Sequence, residues 1–264
     1  MAAGQYWWEE PDSERALVCY LASRDNSYDR WKSWSVRKLI PRPRRAGSLA
    51  LDYGCGGGEF TVWLAAHGWR VVAGDASKYS LNACRLYVKQ RKLTQAVQFV
   101  HTAPPDYWGP LGRQFDLILA KDVIEHIQDD IRFLRQMKSH LASDGTAVLV
   151  TQNDHSWNYR LEAPAMLARD SQWRGWDPTH VRFYNRQSLE RKLLHVGLRP
   201  IRWRAAYVIP YWAWRSRLMK RIRRLAERTV GLGVFHLPET LLGEIWPVCN
   251  WGWSIAVGCV HENA

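Results

Sequence analysis

Short β-rich runs alternate with helical segments along the chain from Leu49 onward. This alternation predicts an α/β fold with a doubly wound, mostly parallel sheet. The predicted strands are Leu49–Tyr53, Arg70–Ala73, Val97–His101, Phe115–Ala120, Thr146–Thr151, Leu198–Trp203 and Trp253–His261. The predicted helices are Tyr28–Ile40, Phe60–His67, Lys78–Lys92, Gln128–His140 and Gln187–Val196. Between the fourth of these helices and the fifth strand, Ser143–Gly145 predicts a turn.

The same pattern predicts how the chain is organised. Residues 1–46 precede the first strand and are expected to form an N-terminal helical lid, and residues 47–264 form one α/β domain. Within that domain, residues 153–184 are too long for a simple connection and are interpreted as a substrate-facing insertion. Residues 207–250 form a basic, aromatic segment between the last two strands.

Composition supports one soluble domain. The chain has 264 residues, 47% of them hydrophobic, enough for a single well-filled core. Its five cysteines form no CxxC pair, so we expect free thiols. The N-terminal residues lack the basic start and apolar run of a signal peptide, and no apolar stretch approaches the roughly 20 residues needed to span a bilayer. A cytoplasmic protein is therefore expected.

Positive charge and tryptophan are both unusually abundant, with a formal net charge of +12 and sixteen tryptophans. Residues 199–228 contain ten Arg or Lys residues and one acid, Glu227. Within this stretch, residues 211–228 can form a helix with one apolar stripe, made by Trp214, Leu218, Ile222 and Leu225. Such a helix suits an anionic membrane surface at the inner face of a membrane, but it could also cover the protein's own core or clamp a phosphate-bearing substrate. Nucleic acid is not the expected partner, since the chain has no recognisable nucleic-acid module.

A glycine-rich turn follows the first predicted strand, in the run Asp52-Tyr-Gly-Cys-Gly-Gly-Gly-Glu59. Glycines allow a ligand close to the backbone, and the next helix offers free N–H groups. A dinucleotide-binding turn would need glycine at Glu59, and a phosphate-binding P-loop would need a Lys-Ser/Thr pair, so neither pattern is present. The carboxylate of Asp52, two residues before Gly54, suits a cofactor with an amino-acid end.

A second acid, Asp75, stands at the end of the second predicted strand, about twenty residues after the glycines. A carboxylate in that place can accept both hydroxyls of a ribose. Alternatively, Asp75 and Ser77 could only cap the following helix. The combination with the glycine turn favours the cofactor.

These motifs resemble the class I S-adenosylmethionine-dependent methyltransferases, in the order DYGCGGGEF, AGDAS, FDLILAKDVIEHI and THVRFY…LLHVGLRP. The pattern is most similar to quinone O-methyltransferases and related sugar and natural-product enzymes. The resemblance implies a Rossmann-like sheet of seven strands in the order 3-2-1-4-5-7-6, with the last strand antiparallel. It also implies a cofactor site made by Asp52, Gly54, Cys55, Gly56, Gly58, Asp75, Ala76, Ser77, Thr102, Ala103 and Lys121. The run from His101 to Pro105 departs from the family, because many relatives have an acid there that binds the adenine.

Methyl transfer from a sulfonium mainly requires alignment of the acceptor and removal of its proton. Candidate bases follow the fourth and fifth strands or lie in the insertion, and we favour His180, then His126, with Glu125 as a third. An Asp-x-x-Glu-His turn could instead only shape the cleft. A broad apolar or ring-stacking acceptor pocket is predicted from Trp157, Trp173, Trp176 and His155.

No metal is expected, although Asp122, Asn153 and Asp154 offer hard oxygen ligands that could chelate Mg²⁺. The predicted function is O-methylation of a hydrophobic, phosphorylated-isoprenoid or lipid-linked small molecule, such as a quinol, a sugar or a natural product. Nitrogen or carbon acceptors are the alternative, as is a non-catalytic, cofactor-binding partner protein docked at a membrane.

Overall fold

A computed structural model describes residues 7–24, 27–102, 107–173, 175, 177–208, 221 and 241–262. The helices are α1 Ser13–Arg24, α2 Ser27–Arg37, α3 Glu59–Ala66, α4 Lys78–Gln90, α5 Asp130–His140, α6 Trp157–Arg169 and α7 Arg186–His195. The strands are β1 Leu49–Tyr53, β2 Arg70–Asp75, β3 Val97–His101, β4 Phe115–Lys121, β5 Leu141–Gln152, β6 Leu198–Ala206 and β7 Ser254–His261. Short 3₁₀ helices lie at Trp7–Glu9, Thr94–Ala96, Gly109–Leu111, Ile124–His126 and Val248–Trp251.

The seven strands form one sheet in the order β3-β2-β1-β4-β5-β7-β6. Strands β1 to β5 pair in parallel, and β7 runs antiparallel to both of its neighbours, β5 and β6. This confirms the strand order and the antiparallel last strand. Because β1 and β4 are neighbours although β2 and β3 lie between them in sequence, their carboxyl ends flank the crevice where open α/β sheets bind ligands.

Buried aliphatic residues fill both faces of the sheet. On one face, Leu51 and Ile118 pack with Phe133 and Leu134 of α5. On the other, Leu117 and Val148 pack with α3 and with the end of the α2 region. The core strands therefore read as continuous apolar runs, as expected for a sheet covered on both sides.

The fifth strand begins earlier than the sequence indicated. It starts at Leu141, so Ser143–Gly145 lies inside the strand bounds and not in a turn before it. The pairing register with β4 shifts between Phe115 and Leu117 at this point. A Cβ on Gly145 would lie 2.9 Å from the carbonyl oxygen of Phe115, so this close approach needs glycine. The tripeptide thus marks an irregularity within the strand.

The N-terminal region contains more helix than predicted. The predicted helix Tyr28–Ile40 is α2, which ends at Arg37, and a second helix, α1, precedes it. Ala16, Leu17 and Tyr20 of α1 pack against Ala83 of α4. Helix α6, which begins just after β5, was also not predicted. Among the described residues, no helix is both long and apolar enough to cross a membrane. The basic helix predicted at 211–228 lies outside the described residues, apart from Arg221.

Candidate functional site

A cavity of about 560 Å³ opens at the carboxyl ends of β1, β2 and β4. One side, which we call the glycine-loop side, is formed by Asp52, Gly54, Gly56 and Asp75. Another part of the lining, the histidine side, is formed by Glu125, His126 and His180. The crevice at the strand ends therefore brings together two groups that are distant in sequence.

The glycine loop turns tightly out of β1. Gly54 and Gly56 have φ values of +73° and +52°, which non-glycine residues rarely adopt. The amide groups of Gly54 and Cys55 donate to the carbonyl oxygen of Gly74 at 2.8 and 3.0 Å, which ties the loop to the end of β2. A Cβ on Gly54 would lie 2.5 Å from Val123 Cγ2. The loop is thus held close to both neighbouring strands.

The two acids of the glycine-loop side have defined partners. Asp75 accepts from the amides of Gly56 and Ser77, each at 2.8 Å. Thr61 Oγ1 donates to Asp52 at 2.6 Å. Burial raises the pKa of Asp52 to about 7 and also raises the pKa of Asp75. Both carboxyl groups are therefore poised for donors or a positive charge in a ligand, which would favour their ionised forms.

Residues of the N-terminal region lie directly on the glycine loop. The Tyr20 hydroxyl accepts from the amide of Glu59 at 3.2 Å, and the Tyr20 ring lies 2.4 Å from where a Cβ on Gly57 would be. Trp7 approaches Gly56 in the same way, at 3.2 Å from the position of a Cβ. The cavity is therefore closed on this side by α1 and the segment before it, and sequence reasoning missed both residues.

A charged cluster of Asp122, Lys32 and Lys121 also lines the cavity. Asp122, which follows β4, has φ +55° and accepts from Lys32 Nζ at 2.5 and 2.7 Å and from Lys121 Nζ at 2.8 Å. Burial alone would raise the pKa of Asp122, but the two ammonium groups hold it well below its usual range. Lys32 belongs to α2, so this ion pair fastens the N-terminal region to the end of β4.

Glu125 lies in the short 3₁₀ helix Ile124–His126 that follows β4, and it is completely buried. Its Oε2 accepts from Thr151 Oγ1 at 2.9 Å, while its Oε1 has no hydrogen-bond partner within the described part of the chain. Burial, and secondarily the charge of Asp122, raise the pKa of Glu125 to about 8. At neutral pH this group is therefore largely a neutral carboxylic acid that can donate as well as accept.

His180 lies against His126, with ring centroids 4.7 Å apart. It is buried, and its Nδ1 has no hydrogen-bond partner among the described residues. Burial and the neighbouring His126 lower the pKa of His180, against the attraction of Asp177. His126 is exposed, and its Nδ1 lies 3.0 Å from Thr179 Oγ1. His180 thus lines the cavity, burial favours its neutral form, and one of its ring nitrogens has no partner among the described residues.

Most of the residues predicted for the cofactor and for catalysis line this one cavity: Asp52, Gly54, Cys55, Gly56, Asp75, Ala76, Ser77, Thr102, Lys121, Glu125, His126 and His180. Gly58 does not. It has φ +94° at the start of α3, and a Cβ there would lie 2.6 Å from Cys84 Sγ, so it serves the close packing of α3 on α4. Ala103 lies outside the described residues.

The predicted acceptor residues are not brought to the cavity. Trp157 is 38% exposed and packs on Trp251, Trp173 packs on Tyr159, and His155 is exposed. None of these three lines the cavity, because the stretch after β5 forms α6 and turns them elsewhere. Trp176 lies outside the described residues. The part of 153–184 that does reach the cavity is its end, at Asp177, Thr179 and His180.

The three side chains weighed as Mg²⁺ ligands, Asp122, Asn153 and Asp154, have other partners in the structure. Asp122 is occupied by two lysines. The side-chain amide of Asn153 donates to the carbonyl oxygens of Asn250 and Gly252, both at 2.7 Å, and Asp154 accepts from Asn185 at 3.1 Å. Within the described residues, ligand atoms of Glu125, His126 and His180 do lie within 4.8 Å of one another.

Comparisons with known proteins agree with this geometry. A family model described as a methyltransferase domain matches residues 25–202. The ubiquinone biosynthesis O-methyltransferase of Ruegeria pomeroyi is 31% identical over 174 residues, which are 64% of this chain and 67% of that protein.

Two solved structures are similar in fold. The magnesium protoporphyrin IX methyltransferase of Synechocystis with bound SAH has a TM-score of 0.54 and 14% identity, over 89% of this chain and 85% of that one. The [4+2]-cyclase SpnF has a TM-score of 0.58 and 14% identity, and the match covers 90% of this chain and 84% of that one. A fold shared with a cyclase does not define a reaction, whereas the family match covers more than half of the chain. This chain belongs to the methyltransferase domain family and is a class I S-adenosylmethionine-dependent methyltransferase.

Proposed function

We propose that this enzyme methylates an oxygen of a hydrophobic, lipid-linked or phosphorylated-isoprenoid small molecule, such as a quinol. The observation that carries the proposal is the buried His180, whose Nδ1 is unpartnered within the described residues and which lines the same cavity as the glycine loop. A hydroxyl group must lose its proton when it accepts a methyl group, and nearby imidazole is suited to take it. The Ruegeria pomeroyi relative is named as an O-methyltransferase, which supports the same acceptor atom.

The glycine-loop side fits the donor, S-adenosylmethionine, which supplies an electrophilic methyl group when bound. Asp75 would accept the ribose hydroxyls, and Asp52 would lie beneath the amino-acid end. Three cations, Arg24, Lys32 and Lys121, also line the cavity and suit a carboxylate there. The positive φ values of Gly54 and Gly56 let the loop turn tightly out of β1, and both glycines line the cavity.

The histidine side would deprotonate the acceptor. His180 is neutral at neutral pH because its pKa is lowered, so it can accept the hydroxyl proton. Glu125 stays protonated through a raised pKa, and its free Oε1 can hydrogen-bond to the acceptor or to an imidazole. His126 would position His180 through their ring contact. These roles need no covalent intermediate on the protein.

The lining of the cavity supports an apolar, flat acceptor. Aromatic residues Trp7, Trp8 and Tyr107 contribute to it together with Val123 and Ile127. Trp7 and Trp8 come from the region 1–46, which we propose closes over the bound substrates as a lid. We also propose membrane association through 211–228, which rests on the basic and aromatic sequence of that segment.

Transfer of an isotopically labelled methyl group tests the proposal. Purified enzyme is incubated with labelled S-adenosylmethionine and with a catechol-type quinol, and products are identified by mass spectrometry. We expect label on oxygen, and we expect His180→Gln to lose this product while His155→Gln, an exposed control, keeps it. Label on nitrogen or carbon, label only in protein or nucleic acid, or no transfer to any acceptor in a cell extract would contradict the proposal.

A further inference from the structure

A second cavity of about 500 Å³ lies between the end of α2 and helix α3. Its lining includes Arg37 and Arg42 from the α2 side and Trp63, His67 and Trp69 from α3 and the turn that follows it. No carboxylate lines it among the described residues. A cavity with two guanidinium groups and two indole rings has the chemistry of a site for an aromatic anion.

Arg37 is held in place by its neighbours, while its buried Nε–H group has no acceptor among the described residues. Its guanidinium lies over the rings of Phe60 and Trp63, with 5.9 and 5.6 Å from Cζ to the ring centroids. A terminal nitrogen approaches Glu59 Oε1 at 3.3 Å, while the buried Nε has no hydrogen-bond partner in the described part of the chain. A buried donor without a partner costs free energy, which a bound acceptor would recover.

The aromatic wall is also fixed by local contacts. The rings of Trp63 and His67 stack at 4.1 Å with an angle of 26° between their planes. His67 Nδ1 lies 2.7 Å from the carbonyl oxygen of Trp63, so that nitrogen carries the hydrogen and donates. Trp69 is buried at the base of this wall. Because these rings are already fixed, contact with a ligand ring would need little reorganisation.

We propose that this second cavity binds a small aromatic anion, a single flat ring that carries a phosphate or carboxylate. The anionic group contacts Arg37 and Arg42, and the ring packs on Trp63. Glu59 also lines the methyltransferase cavity, so the Arg37–Glu59 ion pair connects the two cavities. A ligand that takes Arg37 competes with Glu59, and coupling between the two sites is reciprocal by linkage.

Isothermal titration with phenyl phosphate tests the site. Inorganic phosphate and phenol, which correspond to the two halves of this probe, are titrated separately for comparison. Saturation with S-adenosylhomocysteine keeps the probe out of the donor part of the first cavity, and Lys32→Gln reports binding in the rest of that cavity. We expect phenyl phosphate to bind at least about tenfold more tightly than either half, since ring and anion are held together. Arg37→Gln and Arg42→Gln should each weaken binding by about tenfold, the loss of one charge-assisted hydrogen bond.

Arg132→Gln on the exposed face of α5 removes the same charge and is the matched control; it should bind like the wild type. Arg42 is exposed, so its variant should fold even if Arg37→Gln lowers the melting temperature. Absence of saturable binding, equal binding by the Arg42→Gln protein, or binding abolished by Lys32→Gln would overturn the proposal. None of these readouts depends on methyl transfer, so the test is independent of the acceptor proposed above.

Discussion

The glycine-loop side and the histidine side of the main cavity differ in how far their polar groups are already satisfied. Asp75 and Asp52 accept hydrogen bonds from Gly56 and Thr61, respectively. On the histidine side, Glu125 Oε1 and His180 Nδ1 are buried without partners among the described residues. Satisfied groups fix a shape before any ligand arrives, whereas unsatisfied buried groups keep hydrogen-bonding capacity for one. The first side is therefore suited to hold a constant cofactor, and the second to act on a substrate.

Replacing His180 is the strongest test of this difference between the two sides, because it should affect catalysis and not cofactor binding. We expect His180→Gln to lower kcat by about 10²- to 10⁴-fold, the range for loss of a general base, with little change in the affinity for S-adenosylhomocysteine. Steady-state kinetics and isothermal titration measure the two quantities. His155→Gln changes an exposed histidine outside the cavity and serves as the control. If both variants had wild-type kcat, the histidine side would not be catalytic.

Replacing Asp75 should change the affinity for the cofactor, which replacing His180 should leave nearly unchanged. Asp75→Ala removes the acceptor of two backbone amides, so we expect the affinity for S-adenosylhomocysteine to fall by about 100-fold. Asp170→Ala is matched to it, because Asp170 also accepts from the amide two residues later but is exposed. Equal affinity of the two variants in isothermal titration would refute the assignment of the glycine-loop side.

The contact between α1 and the glycine loop can be tested by stability. A methyl group on Gly57 would meet the Tyr20 ring, so Gly57→Ala should destabilise the protein by about 1–3 kcal/mol, as overpacking does. Thermal unfolding measures the loss. Adding Tyr20→Ala should make the Gly57→Ala change much less costly than it is in the wild type. Additive effects of the two changes would mean that the contact does not control the loop.

The pH dependence gives the smallest expected effect. A base must be neutral, and the pKa of His180 is lowered, so kcat/KM should fall only as the pH drops below about 6.5. His126→Gln removes a neighbour that lowers this pKa, so the acid limb should move to higher pH. A limb that moves to lower pH, or that stays in place when His180 is replaced, would assign it to another group.

The two sides also differ in how well the sequence predicts them. Asp52, the glycines and Asp75 lie within 24 residues, on strand ends whose apolar pattern is clear. Local spacing is then enough to place them in one site. Of the residues predicted here, only Gly58 does not line the cavity, and a glycine that permits helix packing has the same local sequence as one that permits ligand contact.

The rest of the site depends on long-range packing. His180 meets Glu125 only because the chain after α6 returns to the end of β4, where the amide of Val181 donates to the carbonyl oxygen of Glu125. Trp157 and Trp173 are directed away by the same path. Tyr20 and Lys32 reach the cavity through the packing of α1 and α2, and no short sequence motif predicts either residue. Aromatic composition alone therefore does not identify which rings face a ligand.

A crystal structure with S-adenosylhomocysteine tests the central claim most directly, because it shows whether one cavity serves both the donor and the base. We predict that the ribose hydroxyls contact Asp75 and that the sulfur faces the histidine side. The sulfur should lie within about 8 Å of a His180 nitrogen, the span of the methyl group, an acceptor oxygen and one hydrogen bond. Binding away from Asp75, or a sulfur that points away from His180, would contradict the account.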